Sequence, residues 1–399
     1  MKISKENSIA DAVEELTSEQ RQTIMKTSNE NSVVDPVEEL TSEQPFTEQE
    51  YKEIGYTITK ANETIRWGWA CRLLDDVVNK FEIDTVASPA EPIAGDVALF
   101  KVSRVGENKA LVTNTNKRMR IYVGDLIVGV FGNRYATDAF EGEVEGIRNL
   151  SLLTASGMVG TLKSKHRSVG KPTRVSFVGF LQFITGQRVN LKQIKFNKSK
   201  PKSRLKNLIL IIGSGMNSGK TTTCSKMIKS FSEMGIKVAA CKLTGSVSHR
   251  DQYEMTSAAA AYTIDFSDYG FPSTYKCDKQ ELIDLFNTMM ADIEKINPDV
   301  TVMEIADGLL QRETRLLLSE PLIKKSANGI LLTADSAPSA LYAVKYLKRI
   351  GYNILAVSGA MTSSPLYIRE FQMNSNIPVI SSASNDSKMF DVLSKHFTT

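Results

Sequence analysis

The chain has 399 residues, of which 42% are hydrophobic and 24% are charged, and its formal net charge is +4. This length is enough for two or three domains, since domains average on the order of 100–200 residues, and the composition is that of an ordinary globular protein. The net charge is too small to indicate a nucleic-acid-binding protein by itself. The four cysteines form no C-x-x-C pair, so they indicate neither a zinc site nor a disulfide framework.

The first 48 residues contain an internal repeat. Residues 6–20 (ENSIADAVEELTSEQ) return as residues 30–44 (ENSVVDPVEELTSEQ), with changes at only three positions. Both copies are acidic and poor in aromatic residues, and Pro36 interrupts a helix at the position where Ala12 allows one. We therefore predict a disordered acidic tail over residues 1–48. The alternative is a pair of short VEEL peptides that bind a protein partner.

Residues 49–187 are predicted to form a helix followed by a small β-rich domain. The helix prediction rests on an apolar stripe between residues 49 and 84, which comprises Trp67, Trp69, Leu73, Leu74, Val77 and Phe81. From about residue 86, short β-branched and aromatic runs such as DVALFKVSRV alternate with Gly, Asn and Lys-Pro turn signals. Strands at this spacing indicate a compact barrel or sandwich.

One charged stretch lies within this domain and a second follows it. The glycine-rich stretch 132–146 carries Asp138, Glu141, Glu143 and Glu145. These carboxylates could form the rim of a metal or substrate site, but we favour a solvated acidic loop. Residues 188–206 carry eight Lys or Arg residues and are predicted to be a basic linker. The alternative is a patch that attracts phosphate or nucleic acid, for which Phe196 is the only aromatic support.

Residues 207–399 alternate short apolar strands with helices. The unbroken apolar run 207–213 (NLILIIG) is typical of a strand buried on both faces of a parallel sheet. We predict further strands at residues 237–243, 299–305, 329–334 and 352–359. The clearest helix is capped by Ser336 and closed by Gly351. Repeated β-α units of this kind predict an α/β domain with a doubly wound, mostly parallel sheet.

The stretch IIGSGMNSGKTTT (211–223) follows the first of these strands and opens a helix. It departs from the standard phosphate-loop pattern G-x-x-x-x-G-K-[ST], because Ser214 occupies the first glycine position. The strand and helix on either side still predict a phosphate-binding loop, with Lys220 on the β- and γ-phosphates and the Thr221 hydroxyl on Mg²⁺. The predicted nucleotide-binding residues are Gly213, Gly215, Asn217, Ser218, Gly219, Lys220, Thr221 and Thr222.

Carboxylates at the ends of neighbouring strands are candidate magnesium ligands. Glu304 ends the predicted strand 299–305, and Asp251 follows the strand 237–243. Since parallel strands end at the same edge of a sheet, both should lie near the phosphates, where Mg²⁺ needs oxygen ligands. Asp307 is followed by Gly308 and fits a D-G turn equally well. Asp335 closes the predicted strand 329–334 and could be a site residue or, equally, a helix cap.

Residues 207–381 resemble dethiobiotin synthetase and its relatives among the P-loop ATPases. The synthetase loop has five residues between its glycines, and Gly213 and Gly219 match that spacing. The segment Lys242–Gly245 (KLTG) stands where the synthetase has a substrate-holding lysine segment, and Asp251 and Glu304 match its metal-binding residues. The resemblance implies ATP γ-phosphate transfer, with Lys220, Lys242 and Glu304 as catalytic residues and with Thr221, Asp251 and Glu304 holding Mg²⁺.

The departures from that family concern the substrate and the base. The segment MEIADG lacks the first glycine of the synthetase pattern, and the QRET that follows adds charge. A different substrate is therefore expected, and Thr244, Arg250, Asp307 and Arg312 are its candidate binding residues. Ala360 or Met361 replaces an asparagine that reads adenine, which leaves ATP and GTP open. Gly215 occupies the position of the partition ATPases' signature lysine, which argues against their dimer switch.

We expect a Mg²⁺-dependent nucleoside-triphosphate-binding enzyme that phosphorylates or ligates a small acidic metabolite. One alternative is a nucleotide-hydrolysing switch protein that binds a partner through the N-terminal repeat, and another is a polynucleotide 5′-hydroxyl kinase. A homodimer is left open. The first residues lack the apolar core of a signal peptide, and the longest aliphatic run, residues 208–212, is far too short to span a bilayer. A cytoplasmic protein without a membrane partner is expected.

Overall fold

A computed structural model describes residues 57–59, 64–77, 80–84, 91–381 and 386–397 of the chain. All of them belong to one compact unit, Gln44–Thr399. The repeat in residues 6–44 and the predicted disordered tail lie outside the described residues, so both remain predictions.

Residues 207–381 and 386–397 form the predicted α/β fold around a six-stranded parallel sheet. Its strands are β12 (Leu208–Gly213), β13 (Val238–Lys242), β14 (Tyr262–Asp265), β15 (Val300–Ile305), β16 (Ala327–Thr333) and β17 (Ile354–Ser358), in the order β14-β13-β15-β12-β16-β17. Alternate residues of β12 enter the apolar cores on opposite faces, Leu208, Leu210 and Ile212 on one and Ile209 and Ile211 on the other. This two-sided burial explains why β12 is apolar at every position.

Helices cover both faces of this sheet. They are α2 (Lys220–Glu233), α3 (His249–Ser257), α4 (Lys279–Ile296), α5 (Arg312–Leu318), α6 (Pro321–Ser326), α7 (Ala337–Arg349), α8 (Pro365–Asn374) and α9 (Asp386–Leu393), and 3₁₀ turns span Phe266–Tyr269, Ala360–Ser363 and Ser394–His396. The predicted boundaries of the clearest helix are confirmed. Ser336 is the N-cap of α7, and Gly351 follows its end with a φ of +84°. The edge strand β14 was not predicted, because four residues are too few for a clear pattern.

The β-rich part is a nine-stranded mixed sheet. Its strands are β1 (Thr57–Thr59), β2 (Ile65–Trp67), β3 (Lys80–Asp84), β4 (Val97–Arg104), β7 (Leu126–Phe131), β8 (Phe140–Glu143), β9 (Leu150–Leu152), β10 (Met158–Lys165) and β11 (Thr173–Gln182). The main path is β1-β3-β11-β4-β7-β10-β8, with β2 paired to β7 and β9 paired to β10 and β11. A separate hairpin joins β5 (Ala110–Val112) to β6 (Arg118–Arg120).

The helix predicted between residues 49 and 84 is wrong where the structure describes this region. Strands β1, β2 and β3 replace it, and only a 3₁₀ turn at Trp69–Leu74 is helical. Trp67 and Phe81, which suggested one face of a helix, instead lie on β2 and β3, with their ring centroids 5.6 Å apart. Pairing with the larger sheet therefore outweighed the local helical spacing.

The basic stretch 188–206 lies against α4. It contains the short helix α1 (Leu191–Lys195), whose N-cap Asn190 accepts hydrogen bonds from the backbone N–H groups of Lys192 and Gln193. Lys192 forms an ion pair with Glu281 of α4, and Lys198 forms one with Asp284 at 2.7 Å. Part of the positive charge of this stretch is therefore neutralised within the chain.

The β-rich part and the parallel-sheet part meet around the 3₁₀ turn Phe266–Tyr269. Arg72 donates to Asp268 Oδ1 at 2.6 Å and to Ser267 Oγ at 2.9 Å. Gly270, which ends this turn, has a φ of +80°, and a Cβ there would overlap the carbonyl of Leu191 in α1. The meeting of the two parts thus depends on a backbone approach that only glycine permits.

No helix in the described ranges is both long enough and apolar enough to cross a membrane.

The close approach at Gly270 can be tested with a matched pair of glycines. Gly235 has a similar φ of +76°, but its added Cβ would meet nothing within 4 Å. We expect Gly235→Ala to lower the free energy of unfolding by about 1–2 kcal/mol through the strained backbone conformation alone. Gly270→Ala should lower it by about 1–3 kcal/mol more, because its methyl group also collides with Leu191. Thermal unfolding of both variants checks this, and equal melting temperatures would contradict it.

Candidate functional site

The phosphate loop connects the end of β12 to the first turn of α2. Gly213 ends the strand, and a Cβ there would overlap the hydroxyl of Ser218 and crowd the amino group of Lys220. Asn217 and Gly219 adopt positive φ values of 58° and 93°, so the chain turns back toward α2. Ser218 is fully buried, and its hydroxyl lies 2.8 Å from that of Thr333 on β16. The loop is thus held in shape by its neighbours, with the N-terminus of α2 at its end.

The side chain of Lys220 lies inside the loop. Its Nζ donates to the carbonyl oxygen of Gly215 at 2.9 Å and to the carbonyl oxygen of Asp307. Burial lowers the pKa of Lys220, while the carboxylates of Glu304 and Asp307 oppose this effect. The ammonium group therefore already lies among carbonyl oxygens within the predicted phosphate-binding loop.

Three charged side chains meet at the carboxyl edge of the sheet beside this loop. Lys242 on β13 and Glu304 on β15 are register partners, and Lys242 Nζ lies 3.4 Å from Glu304 Oε1. Lys242 also donates to Asp251 Oδ2 at 2.7 Å, and Asp251 lies in the first turn of α3 rather than in a loop. Burial would lower the pKa of Lys242, but Glu304 and Asp251 together raise it above the usual lysine value. Lys242 is therefore firmly protonated.

Glu304 has one paired and one unpaired carboxylate oxygen. Its Oε1 accepts from the Thr221 hydroxyl at 3.5 Å as well as facing Lys242. Its Oε2 is buried and makes no hydrogen bond, although the side chain is only 1% exposed. A buried carboxylate oxygen without a partner is costly, so a bound cation or donor would satisfy it. Within the described residues, no group of three or more His, Cys, Asp or Glu side chains could hold a metal ion.

Asp307 follows β15 directly opposite the phosphate loop. Burial raises the pKa of its carboxyl to about 6, although Lys220 and Lys242 act in the opposite direction. The next residue, Gly308, packs so closely on Gly215 that a Cβ would lie 2.5 Å from its Cα. The turn after β15 and the phosphate loop therefore form one surface.

A cavity of about 480 Å³ lies beside this surface. Its walls are formed by Tyr135, Tyr275, Lys276, Leu310, Gln311 and Arg312. Tyr135, Tyr275 and Gln311 also line a narrower space that reaches Asp307 and Gly245. Tyr135 belongs to the β-rich part, and its ring centroid lies 5.5 Å from that of Tyr275. The cavity thus lies between the two parts of the chain, and it shares three wall residues with the narrower space beside Asp307.

The structure brings some of the predicted site residues together at the phosphate loop and leaves others apart from it. Lys220, Thr221, Lys242, Asp251 and Glu304 are linked to the loop by the contacts above. Thr222 is exposed on α2, and Thr244 is buried, with its hydroxyl donating to the carbonyl of Ala306. Arg312 lines the cavity, whereas Arg250 is exposed on the first turn of α3. Asp335 accepts from Ser214 Oγ at 3.2 Å and from Ser339 Oγ at 2.5 Å, so it contacts the phosphate loop as well as α7.

The acidic stretch 132–146 is only in part the solvated loop that we favoured from the sequence, because Asp138 and Glu145 are exposed but Glu141 and Glu143 lie on β8 and contact the parallel-sheet part. Asp138 Oδ2 accepts from Asn217 Nδ2 of the phosphate loop at 2.7 Å. Glu143 forms an ion pair with Lys276 at 2.5 Å, and Glu141 accepts from the Tyr275 hydroxyl at 3.3 Å. Sequence analysis also missed Tyr135 and Tyr275. The approach of the β-rich part to the loop has no local sequence signal.

The raised pKa of Asp307 predicts a pH-dependent stability difference in Mg²⁺-free buffer without nucleotide. A folded-state pKa above the usual aspartate value means that Asp307 stabilises the fold when protonated and that this contribution is lost as pH rises to about 6. Asp307→Asn should therefore resemble the wild type near pH 4 and become more stable by about 1–3 kcal/mol above pH 6. Melting temperatures from pH 4 to 8 check this, with the exposed Asp391→Asn as a control. A difference that does not change with pH would contradict it.

Comparisons with known proteins found no matching family model and no matching curated protein. Among solved structures, the chain is similar to the signal recognition particle receptor FtsY of Elizabethkingia anophelis, with 16% identity and a TM-score of 0.29 over 51% of this chain and 70% of that one. It is also similar to FtsY of Thermotoga maritima, with 17% identity and a TM-score of 0.31 over 51% of this chain and 74% of that one. For the kinase domain of the Escherichia coli tyrosine kinase ETK, the identity is 14% and the TM-score is 0.28 over 38% of this chain and 66% of that one.

These similarities are too weak to carry an argument about function. The strand β12, the loop that encloses Lys220 and the helix α2 occur in sequence within a parallel sheet, with Glu304 beside Thr221. A strand, a G-K-[ST] loop and a helix in this order are the structural context that confirms a phosphate loop. The parallel-sheet part of the chain therefore has the P-loop NTPase fold.

Proposed function

We propose that the protein is a Mg²⁺-dependent enzyme that transfers a phosphoryl group from a nucleoside triphosphate to a small acidic molecule, or uses it to ligate one. The observation that carries the proposal is the cavity whose wall includes Arg312 and Lys276, because it shares wall residues with the space beside Asp307, whose carbonyl oxygen contacts Lys220 of the phosphate loop. Its volume of about 480 Å³ is within the range of small-molecule sites. A donor site and an acceptor site that share one edge of the sheet are what phosphoryl transfer requires.

The phosphate loop supports the donor half of this reaction. Backbone N–H groups between Gly215 and Thr221, together with the N-terminus of α2, would hold the phosphates. The Lys220 ammonium would exchange its two carbonyl partners for oxygens of the β- and γ-phosphates. Phosphoryl transfer depends mainly on positioning and charge neutralisation, and Lys220 contributes to both.

The residues near Thr221 also fit a magnesium ion. The Thr221 hydroxyl and the unpartnered Oε2 of Glu304 are oxygen donors of the kind that Mg²⁺ prefers, with phosphate oxygens and water completing its shell. Mg²⁺ would neutralise charge on the phosphates. Asp251 is engaged by Lys242 at 2.7 Å, so we assign it a positioning role as well as the predicted metal contact. Lys242, held by two carboxylates, would direct its remaining N–H toward the transferred group.

The cavity supports the acceptor half. Arg312 has a half-exposed side chain that is held at one nitrogen by the Cys277 carbonyl oxygen at 2.9 Å and by the buried Glu313 at 2.5 Å. These contacts fix the guanidinium at the cavity wall, where it could bind a carboxylate or phosphate of the acceptor. Tyr135, Tyr275 and Leu310 offer apolar surface for the acceptor's body.

The finer assignment, a dethiobiotin-synthetase-like enzyme, is part of this proposal. It is supported by the five-residue loop spacing and by the position of Lys242 and Glu304 at neighbouring strand ends. The base, adenine or guanine, remains part of the proposal, and we take ATP as the first nucleotide to test. A partner for the N-terminal repeat, a homodimer and a cytoplasmic location also stay predictions.

A second candidate function is a nucleotide-dependent switch. The hydrogen bond from Asn217 in the phosphate loop to Asp138 in the β-rich part favours it, because nucleotide binding at the loop could alter the contact between the two parts. An activity stimulated by small molecules supports the enzyme, whereas one stimulated only by a protein supports the switch. Stimulation by a 5′-hydroxyl oligonucleotide would instead support a polynucleotide kinase.

Removal of the loop lysine tests the nucleotide site. We expect Lys220→Ala to weaken binding of MgATP or MgGTP by about 10-fold or more and to reduce hydrolysis on the order of 100-fold, because a charge-assisted contact to phosphate is lost. Lys229→Ala is the matched control, since Lys229 is exposed on the same helix. Calorimetry and phosphate release measure both. Unchanged binding and hydrolysis in Lys220→Ala would overturn the proposed function.

Removal of Arg312 tests the acceptor site. Hydrolysis by the wild type should be stimulated by members of a panel of small mono- and dicarboxylic acids, and Arg312→Gln should raise the concentration needed for half-stimulation by about 10-fold or more. Basal hydrolysis should not change. Arg315→Gln, an exposed neighbour on the same helix, is the control. If the two variants respond alike, the acceptor does not bind at this cavity.

A further inference from the structure

The tip of a loop from the β-rich part touches the phosphate loop directly. This segment, residues 132–141, leads from β7 into the first two residues of β8, and we call it the 132–141 loop. At its tip, Asp138 Oδ2 accepts from Asn217 Nδ2 at 2.7 Å. The backbone N–H of Thr137 donates to the sulfur of Met216 at 3.1 Å. Two consecutive residues of each loop are therefore in contact.

Met216 and Asn217 directly follow the residue of the phosphate loop that contacts the turn after β15. The preceding residue, Gly215, packs on Gly308, and its carbonyl oxygen shares the Lys220 ammonium with that of Asp307. Because the loop lysine reaches the β- and γ-phosphates, this is the side on which the terminal phosphate is expected. The α-phosphate would lie toward α2, farther from Asp138.

The carboxylate of Asp138 is not neutralised by a direct ion pair. No lysine, arginine or histidine nitrogen lies within 4 Å of it in the part of the chain that the structure describes. Burial lowers the pKa of the nearby Arg134 and the charge of Asp138 opposes this effect, but Arg134 Nη1 donates to the carbonyl of Leu153 rather than to Asp138. A terminal phosphate beside Asn217 would therefore meet a negative charge that no direct ion pair neutralises.

We propose that Asp138 determines how strongly the site distinguishes a nucleoside triphosphate from a diphosphate, because its carboxylate repels the terminal phosphate. The proposal rests on the nucleotide site proposed above and adds a residue that no phosphate-loop pattern includes. Binding of a triphosphate then breaks the Asn217–Asp138 hydrogen bond and releases the tip of the 132–141 loop. Tyr135, three residues before Asp138, lines the acceptor cavity. The identity of the bound nucleotide is thereby transmitted to the wall of that cavity.

The test compares MgATP and MgADP affinities in three forms of the full chain. Asp138→Asn removes the charge but keeps an oxygen that can accept from Asn217, so the fold should be preserved. Glu145→Gln removes an equal charge from the same part of the chain, where Glu145 pairs with Lys163 at the surface. Affinities are measured by calorimetry at low salt and at about 0.5 M salt, where Coulombic repulsion between exposed groups is screened. The guanine nucleotides are run in parallel.

We expect Asp138→Asn to bind MgATP about 5-fold more tightly or better, with a much smaller change for MgADP. The effect should shrink at high salt, and Glu145→Gln should leave the ATP-to-ADP affinity ratio as in the wild type. Hydrogen exchange of residues 134–140 in the wild type should be faster with MgATP than with MgADP. These results together support the proposal.

The following outcomes would overturn it. Equal changes in the affinities for MgATP and MgADP in Asp138→Asn would mean that Asp138 only holds the 132–141 loop against the phosphate loop. Selective weakening of MgATP would mean that the carboxylate helps to hold the metal-bound triphosphate. If the wild type bound none of the four nucleotides, the proposed function would fail as well. Lys220-dependent binding with an unchanged affinity ratio would overturn this inference alone.

Discussion

The ion pair between Lys242 and Glu304 is the interaction on which the rest of the site depends. It exists because β13 and β15 run parallel in a register that places the two residues side by side at the carboxyl edge of the sheet. Glu304 is almost completely buried, and a buried carboxylate needs a compensating partner. Lys242 and the Thr221 hydroxyl both provide it, at the same carboxylate oxygen Oε1. Asp251 then holds Lys242 from α3, so two strands and two helices are tied to the base of the phosphate loop.

The β-rich part completes the cleft that the parallel sheet begins. Contacts at Arg72 and Gly270 bring the two parts together at the turn that follows β14. The 132–141 loop reaches the phosphate loop and places Tyr135 next to Tyr275. The cavity lined by these two tyrosines therefore requires both parts of the chain, although each has its own apolar core. A parallel sheet alone leaves its carboxyl edge open to water, and here a second sheet covers part of it.

Strands and loops with strong local sequence signals could be predicted from the sequence. The strands around residues 208–213 and 300–305 were clear because burial on both faces makes nearly every position apolar, with Thr301 and Glu304 as the exceptions. The phosphate loop was clear because glycine, lysine and threonine have separate physical roles at fixed positions. The region before residue 84 was misread, since Trp67 and Phe81 fit a helical stripe as well as two strands. Only pairing with distant strands decides between these alternatives.

The sequence by itself determined the α/β fold of residues 207–399, the phosphate loop and the group of Lys220, Lys242 and Glu304. Strand ends in a parallel sheet converge by geometry, so residues there can be placed without coordinates. Tertiary structure alone decided that Lys242 lies between Asp251 and Glu304, and that Asp138 contacts Asn217. It also decided that Tyr135 faces Tyr275. These are contacts between side chains far apart in the chain, and their geometry depends on how two sheets pack, which no local pattern encodes.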